Sequence, residues 1–236
     1  YPLPFYPEFS VPFPYLNMSD ELSRFQPDIV HVVSPFVLGI AGIRHARRLN
    51  VPVVASYHTD IPGFAEQWGF GALIVQPSWS IMRWIHNQAD LNLCPSYATM
   101  HKLEEQSFER LKVWSRGVET KLFNPSQYSS EWRYKLTNGP PNDPLLIFVG
   151  RLSPEKRADW LRPVLDTYPN IRLAIVGDGP AREQLEELFA DTQTVFTGYL
   201  RGEELAHAYA SADLFMLPSA HETFGNVALE AMASGL

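Results

Sequence analysis

The chain has one cysteine. Cys94 cannot close an intrachain disulfide, and a lone thiol fits a reducing cytosol. Long apolar runs are also missing. No stretch of about 18 apolar residues suggests a membrane-spanning helix, and no basic-then-apolar signal opens the chain. Positive charge is scarce: 19 Lys and Arg face 26 Asp and Glu, for a formal net charge of -7. That balance excludes a general nucleic-acid binder, which needs clustered cations on phosphates, but it leaves room for a local anion site. No His, Cys and Asp cluster has metal-ligand spacing, so no structural metal is expected. There is no G-x-S-x-G elbow and no Walker loop. There is no internal repeat at solenoid spacing.

What remains is a globular composition, 45% hydrophobic and 19% charged over 236 residues. That length holds one large domain or two small ones. Short β-branched runs alternate with helical patterns, the mark of a parallel α/β sheet. In the first half, strands are expected over 28–33, 52–57 and 91–94. Helices are expected over 37–49, 71–88 and 97–107, with Pro77 kinking or dividing the second. The basic residues Arg44, Arg47 and Arg48 lie toward the end of the first helix, where they complement its dipole.

The alternation breaks at Arg116. The stretch from there to Pro144 reads as a polar linker with one short helix, punctuated by Asn124-Pro125. A second series follows, with strands over 145–149, 171–176, 194–197 and 213–217. Helices are expected over 181–190, 202–210 and 227–233, and Pro163 kinks or bounds another after Lys156. The units are therefore 1–118 and 119–236, and two α/β units imply a cleft between them. The opening Tyr1-Pro2-Leu3-Pro4-Phe5-Tyr6-Pro7 reads as a surface loop. Both ends read as cut, so the chain is expected to be an internal piece of a longer protein, unstable or inactive alone.

The chemistry concentrates at the carboxyl ends of strands, where open α/β sheets bind ligands. Arg151 and Lys156 follow strand 145–149, and Gly150 permits close backbone approach. A forked guanidinium and a point-charge ammonium suit a diphosphate; a solvated Arg, with Lys156 pairing Glu155 or Asp159, is an even alternative. Glu222 falls in the last strand-to-helix turn and Glu230 within the following helix. Two acceptor-only groups around a helix start suit a ligand with hydroxyls and a phosphate.

Gly177-Asp178-Gly179-Pro180 is a turn and not the dinucleotide fingerprint, because Arg182 stands at the third glycine position. His58 ends strand 52–57 beside Asp60, where it can bond a sugar, shuttle a proton or simply be structural. Trp68, Phe70, Trp79 and Trp84, with Arg83, read first as core packing, and otherwise as an acceptor channel or a membrane-facing patch.

Taken in order, five segments resemble glycosyltransferase family 4, the retaining enzymes with two Rossmann-like domains. They are Ser56-Tyr57-His58-Thr59-Asp60, the run from Arg116 to Pro125, the run from Phe148 to Lys156, Val176 to Pro180, and Glu222 to Gly235. Within that family, Leu3 to Glu8, His31 to Pro35, Asn87 to Cys94 and Trp114 to Val118 look like the bacterial and plastid sulfoquinovosyltransferases of sulfolipid synthesis. The resemblance implies an α/β fold of the GT-B type, truncated at both ends, with an acceptor-side domain and a nucleotide-sugar-binding domain facing a cleft. It implies transfer of a hexose with retention, sulfoquinovose to diacylglycerol or, alternatively, mannose or glucose to another lipid or glycan acceptor. A non-catalytic nucleotide-sugar-binding fragment is the remaining alternative.

Residue by residue, the resemblance gives Arg151 and Lys156 the donor diphosphate and Glu230 the ribose. It gives Glu222 and His58 the transferred sugar, and the backbone of Gly150, Phe224, Gly225 and Asn226 the sugar and phosphate. It implies no cofactor and no metal. The implied partners are a nucleotide sugar and a lipid acceptor, with peripheral membrane contact on the cytoplasmic side.

Overall fold

The β-branched runs fold into two separate four-stranded parallel sheets, one in each of two compact units, Tyr1–Arg116 and Gly117–Leu236. In this computed structural model the described residues are 2–3, 6–10, 18–34, 36–67, 69–219, 222 and 224–236, with 2–3, 6–10, 64 and 67 described by backbone alone. Trp68 of the aromatic stretch lies outside them.

The first unit opens with β1 (Pro2–Leu3) and β2 (Tyr6–Ser10), an antiparallel pair where a loop is expected from the prolines. Then come α1 (Met18–Phe25), β3 (Val30–Val32), α2 (Val37–Arg48) and β4 (Val53–Ser56). They are followed by α3 (Ile61–Gln67), α4 (Ala72–His86), β5 (Leu91–Cys94), α5 (Tyr97–Glu105) and β6 (Leu111–Val113). The sheet runs β3-β4-β5-β6, all parallel, so each strand pairs with its successor in the chain.

Strand β6 is absent from the sequence reading. Its three residues carry too short a pattern to be recognised without the neighbour, β5, that they bond. Pro77 does not divide α4, which stays one helix. A proline there forgoes one backbone bond of the helix. The aromatic stretch splits by environment. Trp79 is buried with Met82, Tyr57 and Phe108, whereas Phe70 and Trp84 are exposed.

The second unit contains α6 (Ser130–Thr137), β7 (Leu145–Val149), α7 (Arg162–Thr167), β8 (Arg172–Val176), α8 (Arg182–Leu188), β9 (Thr194–Gly198), α9 (Gly202–Ala210), β10 (Leu214–Phe215) and α10 (Asn226–Ala233). Pro163 sits at the start of α7, bounding that helix early as its missing N–H predicts. All five residues of β7 are buried, because this strand is covered on both faces. Leu145, Ile147 and Val149 join one core layer; Leu146 and Phe148 join the other. That is the two-residue period of a strand. Each fully buried side chain of this kind contributes about 1.5–3 kcal/mol.

Strand order in the second sheet is β10-β7-β8-β9. The chain steps outward from β7 to β9, then α9 returns it to the far side of β7. The order therefore reverses between β7 and β10, and ligands of open α/β sheets bind at such a switch point. Strand β10 has only two residues, so side chains help to hold it. Asp213 accepts the Leu145 N–H at 2.8 Å and the Arg133 guanidinium at 2.7 Å. Arg133, nearly buried, also donates to the carbonyls of Pro141, Asp143 and Ser211.

Candidate functional site

The loop leaving β7 is stitched to the loop leaving β8. Gly150 N–H donates to the Val176 carbonyl at 3.0 Å, Leu152 N–H to Asp178 O at 3.0 Å, and Ala181 N–H to Leu152 O at 2.9 Å. The stitching demands glycine. A Cβ on Gly177 would lie 1.9 Å from the Gly150 carbonyl oxygen, and one on Gly179 would lie 2.3 Å from that of Leu152. The turn at 177–180 thus acts as the bed on which the Arg151 segment rests. Leu152 is fully buried beneath it, and Arg151 stands half-buried between the two anchors.

A 3-10 turn, Pro154–Lys156, then presents the lysine. Ser153 Oγ donates to Glu155 at 2.6 Å and steadies this turn. Lys156 Nζ donates to Glu222 Oε1 across the switch point, from positions 66 residues apart. Its partner is therefore neither Glu155 nor Asp159 but the carboxylate that follows β10. Both side chains are about three-quarters shielded, with exposures of 26% and 22%.

Past Glu222 the chain reaches Gly225, which is buried with φ +79° and opens α10 without a side-chain cap. The left-handed conformation explains the glycine. Phe224 is half-buried and Asn226 is exposed at the helix start. Glu230 lies further along α10, half-buried, and accepts the Tyr209 hydroxyl at 3.1 Å. Burial pushes the Glu230 carboxyl above its usual value, and the Tyr209 hydrogen bond offsets part of that. Tyr209 is itself fully buried. Burial and the neighbouring Glu230 charge push its phenol far upward, so it serves as a neutral donor. Sequence reasoning missed Tyr209. A tyrosine on the core face of a helix carries no mark of the carboxylate it will meet.

The second unit therefore joins Lys156 to Glu222 directly and sets Gly150 and Arg151 on the same loop. Phe224, Gly225, Asn226 and Glu230 belong to the start and body of α10. His58 belongs to the first unit. It follows β4, and Arg116 Nη2 donates to its Nδ1 at 2.7 Å. Burial, then the Arg116 charge, then His31 hold the His58 imidazole below its usual value.

Its neighbour Asp60 is buried and committed elsewhere, accepting Tyr57 Oη at 2.9 Å, Gly63 N–H at 3.1 Å and Lys102 Nζ at 2.6 Å. Asp60 is a structural residue that pins the start of α3 to α5. Among the described residues no three His, Cys, Asp or Glu side chains group as a metal site.

Residues 1–122 match the model of Glycosyltransferase Family 4, and residues 143–236 match that of the Glycosyl transferases group 1. The chain belongs to this glycosyltransferase family. It is 46% identical over 92% of its length to a sulfoquinovosyl transferase of Arabidopsis thaliana, covering 43% of that protein. It is 44% identical over 94% of its length to a GDP-mannose-dependent alpha-mannosyltransferase of Mycobacterium tuberculosis, covering 57%. The chain thus spans about half the length of the curated relatives it matches.

The fold is that of the GT-B glycosyltransferases, as in the sucrose-phosphate synthase of Thermosynechococcus elongatus. That structure has a TM-score of 0.77 at 23% identity, with 92% of this chain and 56% of the other covered. In family terms, the reversal between β7 and β10 falls in the half matched by the group 1 model.

Proposed function

We propose that this glycosyltransferase moves a hexose from a nucleotide-diphosphate sugar to an acceptor with retention and without a metal, and that the hexose is sulfoquinovose and the acceptor diacylglycerol. The observation that carries this reading is the Lys156–Glu222 ion pair at the switch point of the second sheet. It sets a cation for the diphosphate beside a carboxylate for the sugar hydroxyls. The donor's phosphate competes with Glu222 for the ammonium, and the released carboxylate accepts from the sugar.

Arg151 adds its fork to the same diphosphate, the backbone from Phe224 to Asn226 meets the sugar and phosphate, and Glu230 receives the ribose hydroxyls. His58 bonds the transferred sugar. In the reaction the bond from the anomeric carbon to the diphosphate oxygen breaks, with oxocarbenium character. The acceptor oxygen bonds that carbon on the same face, and its proton passes to the departing diphosphate oxygen. Arg151 and Lys156 stabilise the charge that accumulates there, the task a metal ion would otherwise perform. In this reading Glu222 and Glu230 position the donor and neither attacks it, unlike the carboxylate pair of a glycosidase.

Peripheral membrane contact is part of this proposal. Phe70, Leu73, Ile74, Ile81 and Trp84 are all exposed, and their helical spacing, with two turns between Ile74 and Ile81, lays them along one stripe of α4 and its approach. Such a stripe suits docking on a bilayer that holds a lipid acceptor. Among the described residues no helix is long and apolar enough to cross a membrane.

The 44% identity to a GDP-mannose-dependent enzyme favours a second reading, mannosyl transfer. Both are separated by offering labelled UDP-sulfoquinovose, GDP-mannose and UDP-glucose to the intact protein with diacylglycerol vesicles or soluble glycans. Label in a sulfoquinovosyl lipid is the expected result. Transfer from GDP-mannose alone would replace the first reading with the second. Binding without transfer from any donor would reduce the protein to a nucleotide-sugar binder.

Glu230 makes the donor step sensitive to pH. Its raised value means that, in the window between the usual carboxylate range and that raised value, part of the folded protein carries a proton there. Stability falls as pH rises through this window, because the fold then holds a charge it disfavours. Ribose hydroxyls donate to the ionised form and pull the value back down, so binding expels the proton. Calorimetry in buffers of different ionisation enthalpy should record proton release within that window, with affinity weakening as pH falls. Glu230→Gln should abolish the release; an unaltered release in that variant would remove Glu230 from the ribose.

A further inference from the structure

The carboxyl edge of the first sheet carries a cluster that the donor grip does not use. His31 leaves β3 and its Nε2 lies 2.6 Å from Ser56 Oγ. Trp114, just past β6, sets its ring 5.9 Å from that of His31, and the Arg116 guanidinium lies 5.9 Å from the same indole. Trp114 is thus flanked by an imidazole and a guanidinium, and its face helps to orient the arginine. The arginine's other contact is His58 Nδ1, at 2.7 Å, from 58 positions away in the chain.

Which atom donates in that contact is decided by chemistry. A guanidinium has five N–H donors and no acceptor. A ring nitrogen 2.7 Å from it must therefore offer its lone pair, and a nitrogen with a lone pair carries no proton. The other ring nitrogen then holds the only one. We propose that Arg116 is a positioning residue that keeps His58 as the neutral imidazole with its proton on Nε2, so that His58 meets the transferred sugar as a hydrogen-bond donor and not as a cation or a base.

The surroundings agree. Among the described residues, Arg116 from the segment after β6 and His31 from β3 both oppose a positive charge on His58, as does burial. Asp60, two residues on, is engaged with Tyr57, Gly63 and Lys102. A proton on Nδ1 would also set an N–H against the guanidinium, so protonation breaks the contact. Only the sugar-donor role of His58 rests on the glycosyltransferase reading; the tautomer and its control by Arg116 do not.

The test separates the two. The intact protein is labelled with nitrogen-15 histidine, and the seven histidines are resolved by comparison with His58→Gln. Side-chain nitrogen shifts should show the Nε2–H tautomer for His58 at neutral pH. In Arg116→Met, His58 should titrate at a higher pH and lose its tautomer bias. Arg116→Lys, which also donates without accepting, should restore most of both.

In transfer assays, Arg116→Met should move the acid limb of kcat/KM to higher pH. It should also lower kcat/KM near the old limb about 10-fold, the loss of one oriented hydrogen bond. A proton on Nδ1 in the unaltered protein, or an unchanged His58 titration in both Arg116 variants, overturns the proposal. Because Arg116 is exposed, both variants should fold; if Arg116→Met does not, Arg116→Leu, which likewise donates nothing, gives the same readout. A confirmed tautomer in a protein that transfers no sugar would refute the proposed function and leave the Arg116 inference standing.

Discussion

Replacing Arg151 and Lys156 together with alanine should weaken nucleotide-sugar binding by about 10²- to 10⁴-fold. Each removes charge-assisted hydrogen bonds to the diphosphate, worth about 1.5–3 kcal/mol apiece. Neither side chain belongs to a core cluster, so the fold should survive and the loss should lie in the site. The two single variants should not behave alike. Lys156→Ala also strips Glu222 of its ion-pair partner, leaving a carboxylate close to where the phosphates arrive. Part of its cost is therefore repulsion, and adding Glu222→Gln should recover that part.

Arg151→Ala leaves the Lys156–Glu222 ion pair in place, so Glu222→Gln should not rescue it. Titration of the intact protein with UDP and with GDP would measure all six proteins, wild type included. Unchanged affinity in the double variant would end the diphosphate assignment. Equal losses for both nucleotides are expected, since the cations address phosphate and not base.

Gly177→Ala should be the most damaging single-methyl change in the second unit. The new Cβ would stand 1.9 Å from a backbone carbonyl oxygen, that of Gly150, which no side-chain rotation can move aside. Gly177 also has φ +136°, a conformation that L-residues avoid. Overpacking costs about 1–3 kcal/mol and the unfavourable backbone about 1–2 kcal/mol more. A combined loss of about 3 kcal/mol should lower Tm by about 6–12 °C in a protein of this size.

The damage should reach the site. Relief of the clash requires the β7 and β8 loops to part, and Arg151 rides on the first of them. Donor affinity should fall even at temperatures where the variant is folded. Gly71→Ala is the control. Nothing lies within 4 Å of its added Cβ, and alanine in place of glycine at this helix cap costs only about 0.5–1 kcal/mol. A Gly177→Ala protein as stable as wild type, with wild-type affinity, would show that the two loops do not need to be stitched.

Most elements could be read from the chain because their causes are local. The five-residue apolar run at 145–149 is a buried strand wherever it sits, and α9 begins at Gly202 and ends at Ala210 as its pattern predicts. Failures came where the cause is a neighbour. Strand β6 is three residues long and exists by bonding β5. Strand β10, expected over five residues, spans two and is anchored by Asp213 and Arg133. Pro77 would divide an isolated helix, yet α4 is packed through Trp79, Met82 and Ile85 and runs on.

The sequence by itself determined the class of the fold, the division into two α/β units and the kinds of residue at the strand ends, because periodicity and turn chemistry act over a few residues. It also placed Arg151, Lys156, Glu222 and Glu230 in the segments that carry the family resemblance. The tertiary structure alone decided who meets whom. Lys156 meets Glu222 because β10 returns to the far side of β7; Tyr209 meets Glu230 because α9 packs on α10; Arg116 meets His58 because β4, β5 and β6 lie side by side. A strand's own residues dictate which face is buried, but its neighbour is chosen by the burial and backbone pairing of the whole sheet. The partners of a charged side chain are settled only then.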